Sequence, residues 1–217
     1  MRLGAFLAAF AMASGLAHAE GGEEPHGRRA AAPEKPQWEI AATGYWNAVR
    51  EGDSYGSGIF AADRGPLHLE ARVNYEARHA QSAFAGWTFS GGKEDAISFE
   101  ITPIVGGVGG DVRGPIAGLE ATVAAGKFDF YVEAEYVREN REKVSSYTYA
   151  WSELGYRPTE NLRLGLVGQR TRAYGGEREF QRGGFVQYAI KKVTLSVYWF
   201  NPGSDEQVVI GSVGIAF

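Results

Sequence analysis

Apolar and polar residues alternate without interruption over residues 67–76, which read LHLEARVNYE. Successive side chains of an extended strand point to opposite faces, so this pattern predicts a strand with one apolar and one polar face. The apolar face carries Leu67, Leu69, Ala71, Val73 and Tyr75, and the polar face carries His68, Glu70, Arg72, Asn74 and Glu76. A tilted strand needs about 9–11 residues to cross a bilayer. The stretch is therefore long enough to be a transmembrane strand whose apolar face meets lipid.

From Trp38 onward, short extended segments alternate with turn-forming residues, and no helical periodicity of useful length competes with them. The pattern predicts twelve strands at 38–48, 57–64, 66–78, 81–90, 95–106, 114–124, 127–138, 145–156, 161–173, 179–190, 192–200 and 207–217. An even number of strands would place both ends of the domain on the same side of a membrane. The same spacing also fits a soluble β-sandwich, so the distribution of side chains has to decide between the two folds.

Aromatic residues at both ends of the apolar faces favour a membrane barrel. Trp38 and Trp46 share a face eight residues apart, and so do Phe128 and Tyr136. Eight residues tilted by about 40° cover about 20 Å along a barrel axis, close to the roughly 25 Å apolar band between two aromatic girdles. A soluble sheet has no reason to repeat this spacing. We therefore predict an all-β fold, an antiparallel transmembrane β-barrel of twelve strands with short loops.

One strand leaves its register open. Leu162, Leu164 and Leu166 are expected to face lipid, and simple alternation would then place Arg170 outward as well. A bulge between Gly165 and Gly168 would instead turn Arg170 inward together with Arg172.

The first 19 residues have the pattern of a secretory signal peptide. Arg2 supplies a positive charge, Leu3–Leu16 is apolar and small, and Ala17-His18-Ala19 is an A-x-A cleavage pattern. The apolar run is shorter than the roughly 20 residues that a membrane helix requires. We predict cleavage after this pattern, then a disordered periplasmic leader at 20–37, rich in Pro, Gly and charge, and then the barrel at 38–217.

Composition narrows the classes of function. Removing residues 1–19 leaves 21 basic against 26 acidic residues, a net charge of −5, which argues against a nucleic-acid partner. The chain has no Cys, so disulfides and zinc–thiolate sites are excluded. Thirty glycines and only two Met suit strands and tight turns better than helices.

The last strand ends on an aromatic residue. Its outward face would carry Val209, Gly211, Val213, Ile215 and Phe217. This pattern resembles the C-terminal strand by which bacterial outer-membrane barrels are recognised by their assembly machinery. The resemblance implies that Phe217 is the assembly signal and that the barrel assembly machinery and outer-membrane lipids are partners.

Four further segments carry a closer resemblance. Residues 67–76 (LHLEARVNYE), 150–154 (AWSEL), 165–174 (GLVGQRTRAY) and 200–202 (FNP) resemble segments of a family of small, functionally uncharacterised bacterial outer-membrane β-barrel proteins. Because the family has no assigned activity, the resemblance implies no activity for this chain. It implies a location in the outer membrane of a Gram-negative-type bacterium after cleavage of the signal peptide.

Alternation along the strands predicts a charged lumen. The predicted lumen-lining residues are Glu70, Arg72, Asn74, Glu76, Glu100, Glu120, Asp129, Glu133, Glu135 and Glu153. Two interpretations stay open: a structural ion-pair network that keeps the barrel wet and in register, or an acidic channel for cations and small polar solutes. Bulky residues predicted to point inward favour a narrow or partly blocked lumen. They are Tyr45, Phe84, Tyr131, Tyr149, Trp151, Phe185, Tyr198 and Phe200.

The sequence offers little to support catalysis. Within the predicted barrel the histidines are His68 and His79, and Ser82 lies three residues after His79, a poor spacing for a pair on one strand. The glycines of 106–110 lack the spacing of a phosphate-binding loop. We predict no catalytic residues, no metal ligands and no cofactor. The leading function is a small passive channel; the alternatives are a structural or partner-binding barrel with a filled lumen and a rim enzyme that acts on lipid or peptide.

Overall fold

The computed structural model describes residues 36–93, 96–140, 146–173 and 178–217, with Ala173 and Arg178 described by their backbone alone. The predicted signal peptide and nearly all of the predicted leader lie outside the described residues. The strands are β1 Glu39–Val49, β2 Tyr55–Arg64, β3 Leu67–Val73, β4 Gln81–Trp87, β5 Phe89–Gly92, β6 Ser98–Gly109, β7 Gly114–Ala125, β8 Phe128–Val137, β9 Tyr147–Tyr156, β10 Leu162–Ala173, β11 Arg178–Ile190, β12 Val193–Phe200 and β13 Val208–Ala216. No helix among the described residues is long and apolar enough to cross a membrane.

The strands form one closed antiparallel barrel. Each strand pairs with the next one in sequence except β4, which pairs with β6 and not with β5, and β13 pairs with β1. β4 and β5 are two halves of one strand interrupted at Thr88, because both pair with β6. The thirteen segments therefore occupy twelve strand positions, which confirms the predicted twelve-stranded barrel.

The two ends of the barrel differ. Ala41 of β1 lies opposite Ala216 of β13, so the first and last strands begin and end together at what we call the terminal end. Tight two-residue turns at 65–66, 126–127 and 191–192 lie at this end. The opposite end, the loop end, carries somewhat longer connections such as 74–80. The loops are short, as predicted.

The outer surface of the barrel is apolar. Thirty large hydrophobic side chains among the described residues are exposed, including Val105, Leu166, Phe130 and Val197 from strands spread around the barrel. A soluble monomer rarely exposes apolar patches larger than a few hundred Å². Alternate residues of the same strands point inward and include most of the buried charges. An apolar exterior around a polar interior is the arrangement of a membrane-spanning barrel.

Two predictions about β3 are wrong: the residue at which the strand ends and the direction in which Tyr75 points. The strand was predicted over 66–78, but it ends at Val73 because Asn74 adopts a left-handed backbone (φ 54°). The Asn74 amide nitrogen donates to the Gly56 carbonyl, and its amide oxygen accepts from the backbone N–H of His79. The change of direction turns Tyr75 into the interior, where it is wholly buried instead of facing lipid.

The strand pairing determines the register of β10 and the extent of β5. β10 pairs with β9 and β11 without a bulge, so Arg170 and Arg172 are exposed on the outer face while Arg163 is buried inside. The strand predicted over 81–90 extends further, because β5 continues to Gly92, whose left-handed backbone (φ 96°) starts the reversal.

Candidate functional site

Arg72 is the centre of the first cluster of charges inside the barrel, and it is wholly buried. Five carboxylates from β3, β7, β8 and the 74–80 connection surround its guanidinium. The nitrogen–oxygen distances are 2.7 Å to Glu135, 3.2 Å to Glu133, 3.5 Å to Glu120 and 3.7 Å to Glu76, and Glu70 accepts a hydrogen bond from the Nε–H. We call Arg72 and these five residues the Arg72 cluster.

Aromatic rings enclose the same guanidinium. Its central carbon lies 4.5 Å from the ring centroids of both Tyr75 and Phe84, a distance at which the face of an aromatic ring attracts a cation. The Tyr75 hydroxyl lies 3.1 Å from each carboxylate oxygen of Glu133 and donates to that group. The guanidinium and the carboxylates are thereby held in place by side chains that exclude water.

The Arg72 cluster contains more negative than positive groups. One guanidinium faces five carboxylates, and Glu120 and Glu133 lie directly opposite each other on β7 and β8. Like charges in directly opposed positions of a sheet are destabilising. Desolvation increases the cost of leaving such charges uncompensated. One guanidinium for five carboxyl groups therefore leaves the cluster short of positive charge.

Glu76 is the member of the cluster that lies in a connection between strands. The Ser82 hydroxyl donates to its carboxylate at 2.5 Å. Burial raises the pKa of the Glu76 carboxyl above its ordinary value, and the nearby Arg72 guanidinium opposes that rise. The Tyr147 hydroxyl donates to the Glu76 backbone carbonyl at 2.9 Å, which ties the connection to β9.

Arg163 on β10 is the centre of a second cluster. Its guanidinium binds Asp129 of β8, lies 2.5 Å from Glu153 of β9 and donates to the Gln187 side-chain oxygen at 2.7 Å. Gly155 makes this approach possible: a Cβ at that position would lie 2.5 Å from the Arg163 Nε and 2.7 Å from an Asp129 carboxylate oxygen. We call Arg163, Asp129, Glu153 and Gln187 the Arg163 cluster.

A group of aromatic side chains fills the barrel next to the Arg163 cluster. The ring of Trp151 packs edge-on against Tyr198 at 5.3 Å and Phe200 at 5.1 Å between centroids. The Trp151 indole N–H donates to Glu153 at 3.0 Å, and the Gln187 amide donates to the Tyr198 hydroxyl at 2.8 Å. Trp151 and Phe200 have no exposed surface, so these two rings are packed on all sides.

A cavity of about 30 Å³ lies at the terminal end of the barrel between β1, β11, β12 and β13, with Thr43, Gln187, Ser196 and Ser212 among its lining residues. A single water molecule needs about 10–15 Å³ of such a cavity, so this cavity has room for about two water molecules.

The structure places most of the predicted lumen residues inside the barrel. Glu70, Arg72, Glu76, Glu120, Asp129, Glu133, Glu135 and Glu153 are buried, and all eight belong to the two clusters. Glu100 is half-buried on the inward face of β6, and Asn74 is half-buried in the turn after β3. Phe217 is exposed, and its backbone N–H donates to the Ile40 carbonyl at 2.8 Å.

Sequence reasoning missed two participants. Tyr75 was assigned to the lipid face because the alternation continues past the true end of β3. His68 was placed correctly on the polar face, but its partner Asp63 was not identified. Positions 63 and 68 lie opposite each other, one pair away from the two-residue turn at 65–66, so hairpin pairing was the signal that could have revealed this contact.

The residues considered for catalysis do not form a nucleophile–base pair. The His79 ring is exposed beside Asp111 at the loop end, with 3.2 Å between Nδ1 and the carboxylate. Ser82 is buried and its hydroxyl is directed to Glu76. The geometry of these two residues gives no support to the rim-enzyme alternative.

Comparisons with known proteins are informative at the level of fold. No protein-family model matches the chain, and no curated protein is significantly similar to it in sequence. A solved chain from a study of the in-meso crystallization of membrane proteins is 12% identical, with a TM-score of 0.55; the match covers 82% of this chain and 83% of that one. This likeness supports the barrel fold alone.

Two solved porins are similar at a lower level. A BenF-like porin from Pseudomonas fluorescens Pf-5 is 10% identical with a TM-score of 0.45, over 79% of this chain and 58% of the porin. OccK8 (OprE) from Pseudomonas aeruginosa is 10% identical with a TM-score of 0.46, over 83% of this chain and 67% of the porin. The chain thus spans between half and about two thirds of the length of these porins.

Proposed function

We propose that this protein lies in the outer membrane of a Gram-negative-type bacterium and forms a narrow channel with an acidic interior, selective for small cations or small polar solutes. The single observation that carries the proposal is the imbalance of charge in the two clusters, where seven carboxylates face two buried arginines. One further arginine, the exposed Arg157, lies 3.2 Å from Asp129, so the carboxylates still outnumber the basic groups by seven to three. The apolar exterior supports the membrane location, because side chains such as Leu166 and Val105 need a lipid environment.

The charge imbalance bears directly on selectivity. A barrel wall of low dielectric constant focuses the field of the interior charges, which raises the local concentration of cations and repels anions. Arg72 and Trp151 are buried and occupy space inside the barrel. Ion passage requires displacement of these side chains, so we expect a small unitary conductance.

Single-channel recording in planar bilayers tests the proposal. We expect the folded wild-type protein to conduct K⁺ in preference to Cl⁻, and the preference to weaken toward 1 M salt, where the screening length falls to about 3 Å. Replacing Glu133 and Glu135 together by Gln should reduce the preference. The matched control replaces Asp205 by Asn and Glu206 by Gln, which changes the net charge equally in an exposed loop. A preference for Cl⁻ in the wild-type protein would contradict the proposal.

A filled barrel with a structural or partner-binding role is the second candidate function. The complete burial of Tyr149, Trp151 and Phe200 favours it, since side chains that line an open pore keep contact with water. The same recordings separate the two candidates. Correctly folded protein that never conducts, in a preparation shown to be inserted, would select the filled barrel.

Assembly by the barrel assembly machinery is part of the proposal. It is supported by the exposed aromatic ring of Phe217 at the end of β13, the strand that pairs with β1 and closes the barrel. Outer-membrane lipids are the partners proposed for the apolar exterior.

A further inference from the structure

Three side chains at the edge of the Arg72 cluster converge on one point. His68 and Glu70 lie two residues apart on the inward face of β3, and Glu120 reaches the same place from β7. One ligand atom from each of the three lies within 4.8 Å of the other two. All three residues are at least 95% buried, so the group is shielded from bulk water.

Two atoms in this group have no hydrogen-bond partner among the residues that the structure describes. They are the Nε2 of His68 and the Oε2 of Glu70, and both are buried. Leaving a buried polar atom unsatisfied costs about 1–3 kcal/mol, so native proteins rarely do so without a reason. The other oxygen of Glu70 is used by Arg72, and the other nitrogen of His68 is used by Asp63.

The contact with Asp63 orients the imidazole. Nδ1 of His68 lies 2.7 Å from an Asp63 carboxylate oxygen, close enough for Nδ1–H to donate a hydrogen bond. A proton on Nδ1 leaves Nε2 with its lone pair free, which is the form of histidine that binds a metal ion. Metal-ligating histidines almost always donate their other ring N–H to a carboxylate, a carbonyl or a water.

We propose that His68, Glu70 and Glu120 bind a divalent transition-metal ion, with Zn²⁺ as the best-fitting probe. One imidazole nitrogen and two carboxylate oxygens are a ligand set that zinc accepts, at bond lengths of about 2.0–2.2 Å. Ligand atoms around a tetrahedral ion with such bonds lie roughly 3.4 Å apart. The ligand atoms are now up to 4.8 Å apart, and small side-chain rotations would shorten these separations to about that value.

The surrounding charge favours a cation at this position. Glu70 and Glu120 belong to the cluster in which one guanidinium faces five carboxylates, so the ion would supply positive charge that Arg72 alone does not. β3 and β7 are not adjacent, since β4 and β6 lie between them. The bound ion would therefore connect two separated strands across the interior, whether or not the barrel conducts.

Equilibrium dialysis of the detergent-folded mature protein against Zn²⁺, after treatment with a chelator, tests the site. We expect one ion per chain with an affinity that His68→Gln and Glu120→Gln each weaken by at least 100-fold. Asp63→Asn removes the orienting contact without removing a ligand and should weaken binding by about 10–100-fold. The control is His79→Gln, which removes another histidine beside an aspartate, but an exposed one at the loop end; it should leave the affinity unchanged.

Folding of each variant is checked by heat-modifiable migration on gels, so that loss of binding is scored only in folded barrels. If His68→Gln does not fold, the Zn²⁺ affinities of Asp63→Asn and of the wild-type protein still test the proposal. Absence of a bound ion from folded wild-type protein would overturn the proposal, and so would an affinity that Asp63→Asn or His68→Gln leaves unchanged.

Discussion

At the residue scale, the interior depends on a few basic groups among many acids. Arg72 makes contact with five carboxylates, and Arg163 with two. A buried charge pair adds little net stability compared with apolar residues of similar volume, but removing one partner is strongly destabilising, because the remaining charge is left unpaired. The two arginines therefore matter more to the stability of the barrel than their number suggests.

Replacing Arg72 by Met should lower the free energy of unfolding by about 3 kcal/mol or more, because the variant keeps most of the volume but leaves the carboxylates without their cation. Urea unfolding of the barrel in lipid vesicles measures the effect. Arg170→Met is the matched control, since Arg170 lies on the same barrel but is exposed on its outer face. Equal stabilities of the two variants would show that the Arg72 cluster is not the network described here.

Gly155 allows a second test at a single residue. In Gly155→Ala the new methyl group would lie within 3 Å of both Arg163 and Asp129, so these side chains must separate. We expect a loss of about 1–3 kcal/mol in unfolding free energy, the usual cost of overpacking. Gly211→Ala is the control, because nothing lies within 4 Å of the added group. A stability of Gly155→Ala equal to that of the control would contradict the close packing around Arg163.

At the scale of the strands, the contact between β1 and β13 decides whether the barrel closes. The backbone pairing runs from Ala41 opposite Ala216 to Val49 opposite Val208, and the Phe217 N–H adds a hydrogen bond to Ile40. Closure removes the two sheet edges, whose unpaired N–H and C=O groups could not be satisfied in lipid. The last strand thus completes the fold, and the proposed assembly signal lies at its end.

Replacing Phe217 by Ser should slow insertion and leave the chain exposed to periplasmic protease, because the proposed recognition by the assembly machinery depends on the terminal aromatic ring. Pulse-chase analysis of heat-modifiable barrel in cells measures the rate. Phe128→Ser is the control, since Phe128 is also an exposed aromatic at the terminal end. Wild-type yields from Phe217→Ser would argue against this role of Phe217.

At the scale of the whole molecule, the apolar exterior and the charged interior have to be considered together. Filled barrels of about eight strands have an interior just wide enough for side chains, whereas barrels of sixteen or more leave an aqueous channel. In this barrel of twelve strands, the Arg72 cluster and the rings of Trp151, Tyr198 and Phe200 occupy the interior. Side-chain size, more than strand number, sets the width of its lumen.

Trp151→Ala tests this conclusion for the whole barrel. Removing the indole leaves space beside Tyr198 and Phe200, so the unitary conductance should rise above that of the wild-type protein. Trp199→Ala is the matched control, because the Trp199 ring is about half exposed on the outer, lipid-facing side. Planar-bilayer recording measures both variants. An increase in conductance in the control alone would mean that the interior ring does not restrict the pore.

The sequence by itself determined the architecture. Strict alternation in β3 and β8 specifies which side chains face inward, because the side-chain period of a strand is two and does not depend on its neighbours. The same local rule correctly placed Glu133, Glu153 and Trp151 in the interior. The number of strands was also predictable from the sequence, since turn residues such as Gly126 mark the hairpins locally.

The tertiary structure decided what local rules cannot reach. The end of β3 before Asn74, and with it the inward position of Tyr75, depends on the hydrogen bond from Asn74 to Gly56 of the neighbouring strand β2, together with one from His79 within the same connection. The gathering of Glu70 and Glu120 around Arg72 and beside His68 depends on barrel closure and strand stagger, which bring separated strands across the interior to one point. Alternation fixes the face on which a side chain lies, but only the closed barrel fixes which other strand it meets.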